Sequence, residues 1–162
     1  VEVFKEVQKT GIPCYLFHSR CPIDDKEKIT DKLTTFFGKD RSKRPEKAIV
    51  VARQVLEQSI DLEFDFTMTA LCPIDLLLQR MGREWRHSNE GTIRENWVDV
   101  YPETLILRGK DERIYPKELL ERTNTYLEDR KFLTLPEDIR PAVDTIYKDE
   151  ADTEGHTERT NH

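Results

Sequence analysis

Apolar positions along this chain recur at two periods, and the alternation between them predicts a succession of helices and strands. Val3, Phe4 and Val7 mark one face of a short opening helix that Gly11 ends. Cys14 to Phe17 is a continuous apolar run between Gly11-Ile12-Pro13 and His18-Ser19-Arg20, a strand with a polar loop at its carboxyl end. Asp24 or Asp25 then caps a helix in which Ile29, Leu33, Phe36 and Phe37 return at helical spacing, closed by Gly38. Ala48 to Ala52 contains no polar residue and reads as a buried strand. The alternation from Ile60 to Phe66 leads into a third strand over Phe64 to Leu71, and Pro73 opens a helix running to about His87. Trp97 to Tyr101 and Thr104 to Leu107 are short strands. Pro116 opens a helix through Leu119, Leu120 and Leu127, and Pro136 opens a last short one through Ile139 and Val143.

Strands alternating with helices argue for an α/β fold with a mainly parallel sheet, helices on both faces and right-handed crossovers. Ligands of such sheets gather outside the carboxyl ends of the strands. The polar clusters fall there: His18-Ser19-Arg20, then Arg53-Gln54, then the Pro73 helix. Residues 1–148 read as one domain. From Asp149 to His162 the chain is acidic, Thr-rich and without periodicity, which predicts a disordered tail.

Composition narrows the class. The chain has 162 residues, 36% hydrophobic and 36% charged. No stretch approaches the roughly 18 apolar residues of a membrane span and no charged-then-apolar leader is present, so a cytoplasmic protein without a membrane partner is expected. Cys14, Cys21 and Cys72 form no C-x-x-C pair and are odd in number, which points to free thiols rather than a metal site or disulfides. The net charge of -6 is mostly the tail's: five acids and one base after Lys148 carry -4, leaving the body at -2. One basic cluster, Lys39, Arg41, Lys43, Arg44 and Lys47, is diluted by Asp40 and Glu46 and reads as a solvated loop.

The Pro73 helix carries the candidate chemistry. At about 100° per residue, Ile74, Leu77, Leu78, Met81 and Trp85 share one face, and Gln79, Arg83 and Arg86 share the opposite one. Two guanidiniums in one column repel each other unless an anion lies between them, and the planar arginine fork matches phosphate oxygens. Both arginines are then solvent-facing, and truncating either is expected to cost no more than about 0.5 kcal/mol of stability.

The string Gln79-Arg80-Met81-Gly82-Arg83-Glu84-Trp85-Arg86 fits Q-R-x-G-R-x-x-R and resembles the last conserved motif of superfamily-two helicases. Upstream, Gln54 to Asp65 is similar to the Q-V-x-E-Q-S-[LI]-D-x-x-F-D stretch of the CRISPR-associated helicase–nuclease of type I systems, and Leu16 to Arg20 is similar to its L-x-H-S-R segment. Tyr115-Pro116 with Glu118-Leu119-Leu120, and Leu135 to Pro141, resemble its downstream region, so the resemblance covers roughly residues 1–148.

That resemblance implies a RecA-like domain, the second motor domain of an ATP-driven single-stranded DNA translocase that degrades DNA flagged by an RNA-guided surveillance complex. It implies that His18, Ser19, Arg20, Arg53 and Gln54 lie near the DNA backbone and that Asp61 approaches the nucleotide ribose. Gln79, Arg83 and Arg86 would face the phosphates, the two arginines as catalytic groups that stabilise charge during phosphoryl transfer. The chain departs from the family's usual residues at three positions: Arg53 stands for threonine, Ala70 for aspartate and Trp85 for histidine.

Other parts of such an enzyme are not in this sequence. Gly38-Lys39 and Gly109-Lys110 lack both the earlier glycine and the following hydroxyl of a phosphate-binding loop. There is no His-Asp pair for a nuclease metal centre. Asp149-Glu150-Ala151-Asp152 spells a magnesium-binding box, but it ends no apolar strand and follows the arginine motif instead of preceding it. ATP and Mg2+ would therefore be held mainly by a first RecA-like domain, and that domain and a nuclease domain of the same enzyme are the expected partners. The competing expectation is a stand-alone remnant that binds nucleic acid or protein without catalysis. The 162-residue chain by itself is predicted not to turn over ATP, because transfer needs arginines, phosphate loop and magnesium carboxylates together. Phosphate release with saturating single-stranded DNA checks this, and a DNA-stimulated rate that tracks the purified chain contradicts it.

Overall fold

A computed structural model describes residues 2–18, 22–53, 60–109 and 114–154, with side chains described as far as residue 148. The chain divides into two compact units, one of Val1–Phe66 with Arg83–Pro102 and the other of Thr67–Gly82 with Glu103–His162. Element order is α1 (Glu2–Gln8), β1 (Cys14–His18), α2 (Ile23–Phe37), β2 (Ile49–Arg53), β3 (Phe66–Ala70), α3 (Ile74–Met81), β4 (Glu103–Leu107), α4 (Lys117–Glu128) and α5 (Ile139–Glu154).

In the first unit β1 and β2 pair in parallel, in register from Cys14 against Ile49 to His18 against Arg53, with α2 as the crossover. Parallel neighbours need such a crossover, and its packing on the strands explains why Cys14 to Phe17 and Ile49 to Ala52 are apolar. α2 begins at Ile23 behind Pro22, which makes no side-chain cap, so Asp24 and Asp25 lie in the first turn, where their charge meets the positive end of the helix dipole. Leu33 and Phe37 of α2 are buried against Phe17 and Leu62. Phe37 stacks obliquely on Phe64, with ring centroids 5.6 Å apart. Gly38 ends the helix: its N–H donates to the Thr34 carbonyl at 2.9 Å, and the next apolar segment crosses close by, with the Glu63 N–H donating to the Phe37 carbonyl at 2.8 Å.

In the second unit Ile74, Leu77 and Leu78 of α3 are buried with Cys72, Tyr126 of α4, and Ala142 and Ile146 of α5. The Tyr147 hydroxyl donates to Asp75 at 2.7 Å, and Arg122 donates to the Ile146 carbonyl at 3.0 Å, fastening α5 to α3 and α4. β3 and β4 form a two-stranded sheet. Among the described residues no helix is long and apolar enough to cross a membrane.

Three elements differ from expectation. The Pro73 helix ends at Met81 instead of running to His87. Gly82, a weak helix former, closes it with a bond to the Leu78 carbonyl. The next residues then find a non-local partner: Glu84 forms a parallel bridge with Phe64, and Trp85 adopts a left-handed φ of 48°. Trp97 to Tyr101 is irregular instead of extended, because Asp99 takes a φ of 58° and Val98, 79% exposed, buries no face. The tail does not lose structure at Asp149: α5 continues to Glu154, since Ala142 and Ile146 anchor the helix and no Gly or Pro interrupts the residues after them. Residues 155–162 of the expected tail lie outside the described residues.

Gly38 leaves no room for a side chain at the end of α2, for a Cβ built there falls against the Thr34 carbonyl oxygen of the helix's own last turn, whereas the Asp61 carbonyl is at ordinary contact distance. Gly38→Ala is expected to destabilise the chain by about 1–3 kcal/mol, since backbone rather than a flexible side chain must give way. A urea titration checks this; an unchanged midpoint would show that the helix end relaxes freely.

Candidate functional site

Arg80 of the Q-R-x-G-R-x-x-R string stays on α3, whereas Arg83 and Arg86 follow the helix in a turn that Glu84 bridges to Phe64. Residues Arg83 to Trp85 run beside Phe64: the Phe64 N–H donates to the Arg83 carbonyl at 2.9 Å, and the Trp85 N–H donates to the Phe64 carbonyl at 3.1 Å. The helical column expected for Gln79, Arg83 and Arg86 therefore does not form. Gln79 stays on α3 in the second unit, where it is exposed. Arg83 and Arg86 belong to the first unit, with Asp61.

The two arginines have opposite environments. Arg83 is only 6% exposed, and its Nη1 donates to the Ile60 carbonyl. Burial, and then the neighbouring charge of Arg86, draw its guanidinium below the usual value, and the Asp61 carboxylate partly offsets them. The expectation of a solvent-facing Arg83 is thus corrected: the helix ends at Met81, and Arg83, in the turn that follows, points inward. Arg86 remains 46% exposed, with Nε 2.9 Å from the Asp61 carboxylate, itself 51% exposed. His87 Nε2 lies 3.4 Å from the same carboxylate oxygen. Together they form a carboxylate–guanidinium–imidazole group at the surface of the unit.

Behind it lies a charge cluster that the sequence reading missed. The Glu63 side chain is fully buried. Arg41 Nη2 donates to both of its oxygens at 2.9 Å, and Arg94 Nη2 donates to Oε1 at 2.5 Å. The His87 backbone N–H reaches Oε2 at 3.3 Å. Arg44 donates to the Glu63 carbonyl at 2.8 Å. Burial alone would push the Glu63 carboxyl up, but hydrogen bonds from Arg41 and Arg94, with the charges of Arg41 and Arg44, hold it below the usual carboxylate value. Two members of the basic cluster read as a solvated loop thus turn inward. Arg94 also pairs with Asp65 at 2.6 Å and lies over the Trp85 ring, 4.8 Å from its centroid. The only sequence hint was an acid inside the alternating run Ile60 to Phe66; nothing marked Arg94.

Among the other site residues read from the sequence, His18 and Arg53 are register partners at the carboxyl ends of β1 and β2, as the parallel arrangement requires. Ser19, Arg20 and Gln54 lie outside the described residues. Among the described residues, no group of three or more His, Cys, Asp or Glu side chains could hold a metal ion.

Because the folded-state pKa of Glu63 is depressed, its charge contributes stability that is complete above the unfolded carboxyl's value, about 4.3, and is lost as pH falls through the lower folded value. Urea unfolding of the wild-type chain and of Glu63→Gln should differ most at neutral pH and converge below about pH 4. A difference that stays constant across that range contradicts a charged, arginine-held Glu63.

Residues 1–89 match the family model described as CRISPR-associated nuclease/helicase Cas3, C-terminal. The chain is 35% identical over 153 residues to the CRISPR-associated endonuclease/helicase Cas3 of Escherichia coli K12, and 37% identical over 155 residues to that of Thermus thermophilus. These alignments cover 90% and 92% of this chain but 17% of each relative, so the chain spans about a sixth of their length. The crystal structure of T. fusca Cas3-ATP superposes with a TM-score of 0.79 at 34% identity, over 98% of this chain and 20% of that one. A chain of a CRISPR RNA-guided surveillance complex, pre-nicking, superposes with a TM-score of 0.76 at 34% identity, over 97% of this chain and 21% of its own length. The chain therefore belongs to the family of Cas3 C-terminal regions, and its fold is that family's RecA-like domain.

Proposed function

We propose that this chain is the second motor domain of an ATP-driven single-stranded DNA translocase in CRISPR defence, and that Arg83 and Arg86 serve its ATP site. The observation that carries this reading is the half-exposed ion pair of Arg86 with Asp61, inside the matched motif. An ion pair that exposed is worth about 0–1 kcal/mol. Arg86 can therefore leave Asp61 for a phosphate at little cost, and Asp61 is then available to a ribose hydroxyl. An arginine so placed stabilises the charge that develops on the phosphoryl group in transfer. Arg83, held on the Ile60 carbonyl, adds positive potential from behind.

Mg2+ would be held by carboxylates of a first RecA-like domain, the catalytic part that this group of Asp61, Arg86 and His87 would complete with its guanidinium. ATP with Mg2+ supplies the phosphoryl transfer that drives movement along DNA. His18 with Ser19 and Arg20, and Arg53 with Gln54, would meet the DNA backbone at the carboxyl edge of the parallel strands, where loops of such sheets gather their ligands. The relatives' names support the helicase and nuclease activities, the T. fusca Cas3-ATP and Cas3-AMPPNP structures support nucleotide, and the surveillance-complex structure supports that partner.

In the complete enzyme, Arg86→Ala should lower DNA-stimulated ATP hydrolysis by about 10³-fold with stability nearly unchanged. Lysine there should rescue poorly, being a point charge without the fork. Arg83→Ala should also lose about 1–3 kcal/mol, because it removes a buried donor from the Ile60 carbonyl. Steady-state hydrolysis and thermal melting separate the two effects, and a folded Arg86→Ala enzyme with near wild-type turnover overturns the proposal.

A further inference from the structure

We infer that Glu63 is a positioning residue for Arg86: its buried, arginine-held carboxylate sets where the Arg86 side chain begins. This rests on the proposed role of Arg86 and goes beyond it, since Glu63 occupies a variable position of the D-x-x-F-D stretch and contacts no surface where a ligand could reach it.

The backbone on both sides of Arg86 is fastened to the segment that carries Glu63. On the amino side, the Trp85 N–H donates to the Phe64 carbonyl at 3.1 Å and its indole Nε1 donates to the Asp65 carbonyl at 3.1 Å. On the carboxyl side, the His87 N–H donates to Glu63 Oε2, and the Ser88 carbonyl accepts from Arg41 Nη1 at 2.8 Å. Arg41 is itself held by Glu63 through its other terminal nitrogen. Arg94 links Glu63 Oε1 to Asp65 and covers the Trp85 ring. Residues 85, 87 and 88 thus have their places set by one carboxylate and two guanidiniums, and Arg86 lies between them.

Stability alone is a poor explanation for such a cluster. Well-packed apolar residues of similar volume are often as stabilising as a buried ion pair, because desolvation offsets the attraction. This cluster is also imperfectly satisfied: among the described residues, Arg41 Nε and Arg44 Nη1 are buried without a hydrogen-bond partner. What a charged hub supplies and an apolar one does not is direction, for each bond fixes an angle as well as a distance. Phosphoryl transfer rewards that, because misplacing a group by about 1 Å can cost about 10²-fold in rate.

The test uses the complete enzyme and a double-mutant cycle between Glu63→Gln and Arg86→Lys, the latter chosen to keep a measurable residual rate. Glu63→Gln should lower kcat for DNA-stimulated ATP hydrolysis by about 10- to 100-fold. KM for ATP and affinity for single-stranded DNA should stay within about threefold, and Glu63→Asp should recover part of the rate. In the Arg86→Lys background Glu63→Gln should cost little more, since the two act through one guanidinium. If Glu63→Gln fails to fold, Arg41→Lys, which keeps the charge but loses the fork bridging Glu63 and Ser88, takes its place in the same cycle. Multiplicative losses in the double variant, or an unchanged kcat in the single one, overturn the inference. Arg86→Lys with undiminished turnover would instead sink the reading of Arg86 on which it rests.

Discussion

A carboxylate with no exposed surface must be answered by donors brought to it, and the first unit is arranged around that demand. Leaving the Glu63 charge unpaired in the interior would cost several kcal/mol. Its oxygens are met by Arg41, Arg94 and the His87 N–H, while its own backbone is tied to Phe37 and Arg44. These groups come from the end of α2, the loop after it, the segment following Gly82 and the turn near residue 94. None of the four can shift without leaving a buried charge or carbonyl unsatisfied. The apolar core of Phe17, Leu33, Phe37 and Leu62 holds the helix and strands together without direction. The Glu63 cluster fixes the irregular chain that no helix or sheet ladder would hold.

That constraint also explains why two arginines three residues apart have different characters. Once the helix has ended at Met81, the turn that follows sends Arg83 inward to the Ile60 carbonyl and leaves Arg86 outward beside Asp61. The buried guanidinium needs a fixed acceptor because desolvation penalises it. The exposed one tolerates a weak partner, since water answers its remaining donors. An arginine that is to exchange partners must be of the second kind. Had both stood on a helix face, as the spacing alone suggested, both would have been loosely held.

Periodicity reports local geometry, and the local elements were legible in the chain for that reason. Cys14 to Phe17 and Ala48 to Ala52 are apolar because Tyr15, Phe17, Val50 and Ala52 of the paired strands pack into one core with α2, and Ile29, Leu33, Phe36 and Phe37 recur because α2 turns one face to that core. Trp85 misled because it completes the apolar stripe begun by Ile74, although Gly82 already marked the stop. What competed with the helix was the bridge between Phe64 and Glu84, a pairing across twenty residues that no window of sequence contains. The inward turn of Arg41 and Arg44 was hidden in the same way. A basic cluster reads as solvated until a buried carboxylate about twenty residues further on is known to face it. That His18 and Arg53 come to one edge was legible, because parallel strands bring their carboxyl ends together, whereas their pairing in register was not.

That edge carries the chain's most consequential departure from its family's pattern. Under the proposed function, a threonine hydroxyl at position 53 would touch one DNA phosphate as a short, neutral donor. Arg53 stands there instead, exposed, with His18 beside it in register. A guanidinium reaches further, offers a fork matched to phosphate, and adds a full charge. Each phosphate neutralised by a cation releases counterions, so in the proposed role the added charge would strengthen DNA binding at low salt and make it fall more steeply as salt rises. For a translocase the contact must also be released at every step, and a charge-assisted bond about twice as strong as a neutral one resists release. In the proposed role the substitution would favour grip over speed, and it stands at the carboxyl edge of the paired strands.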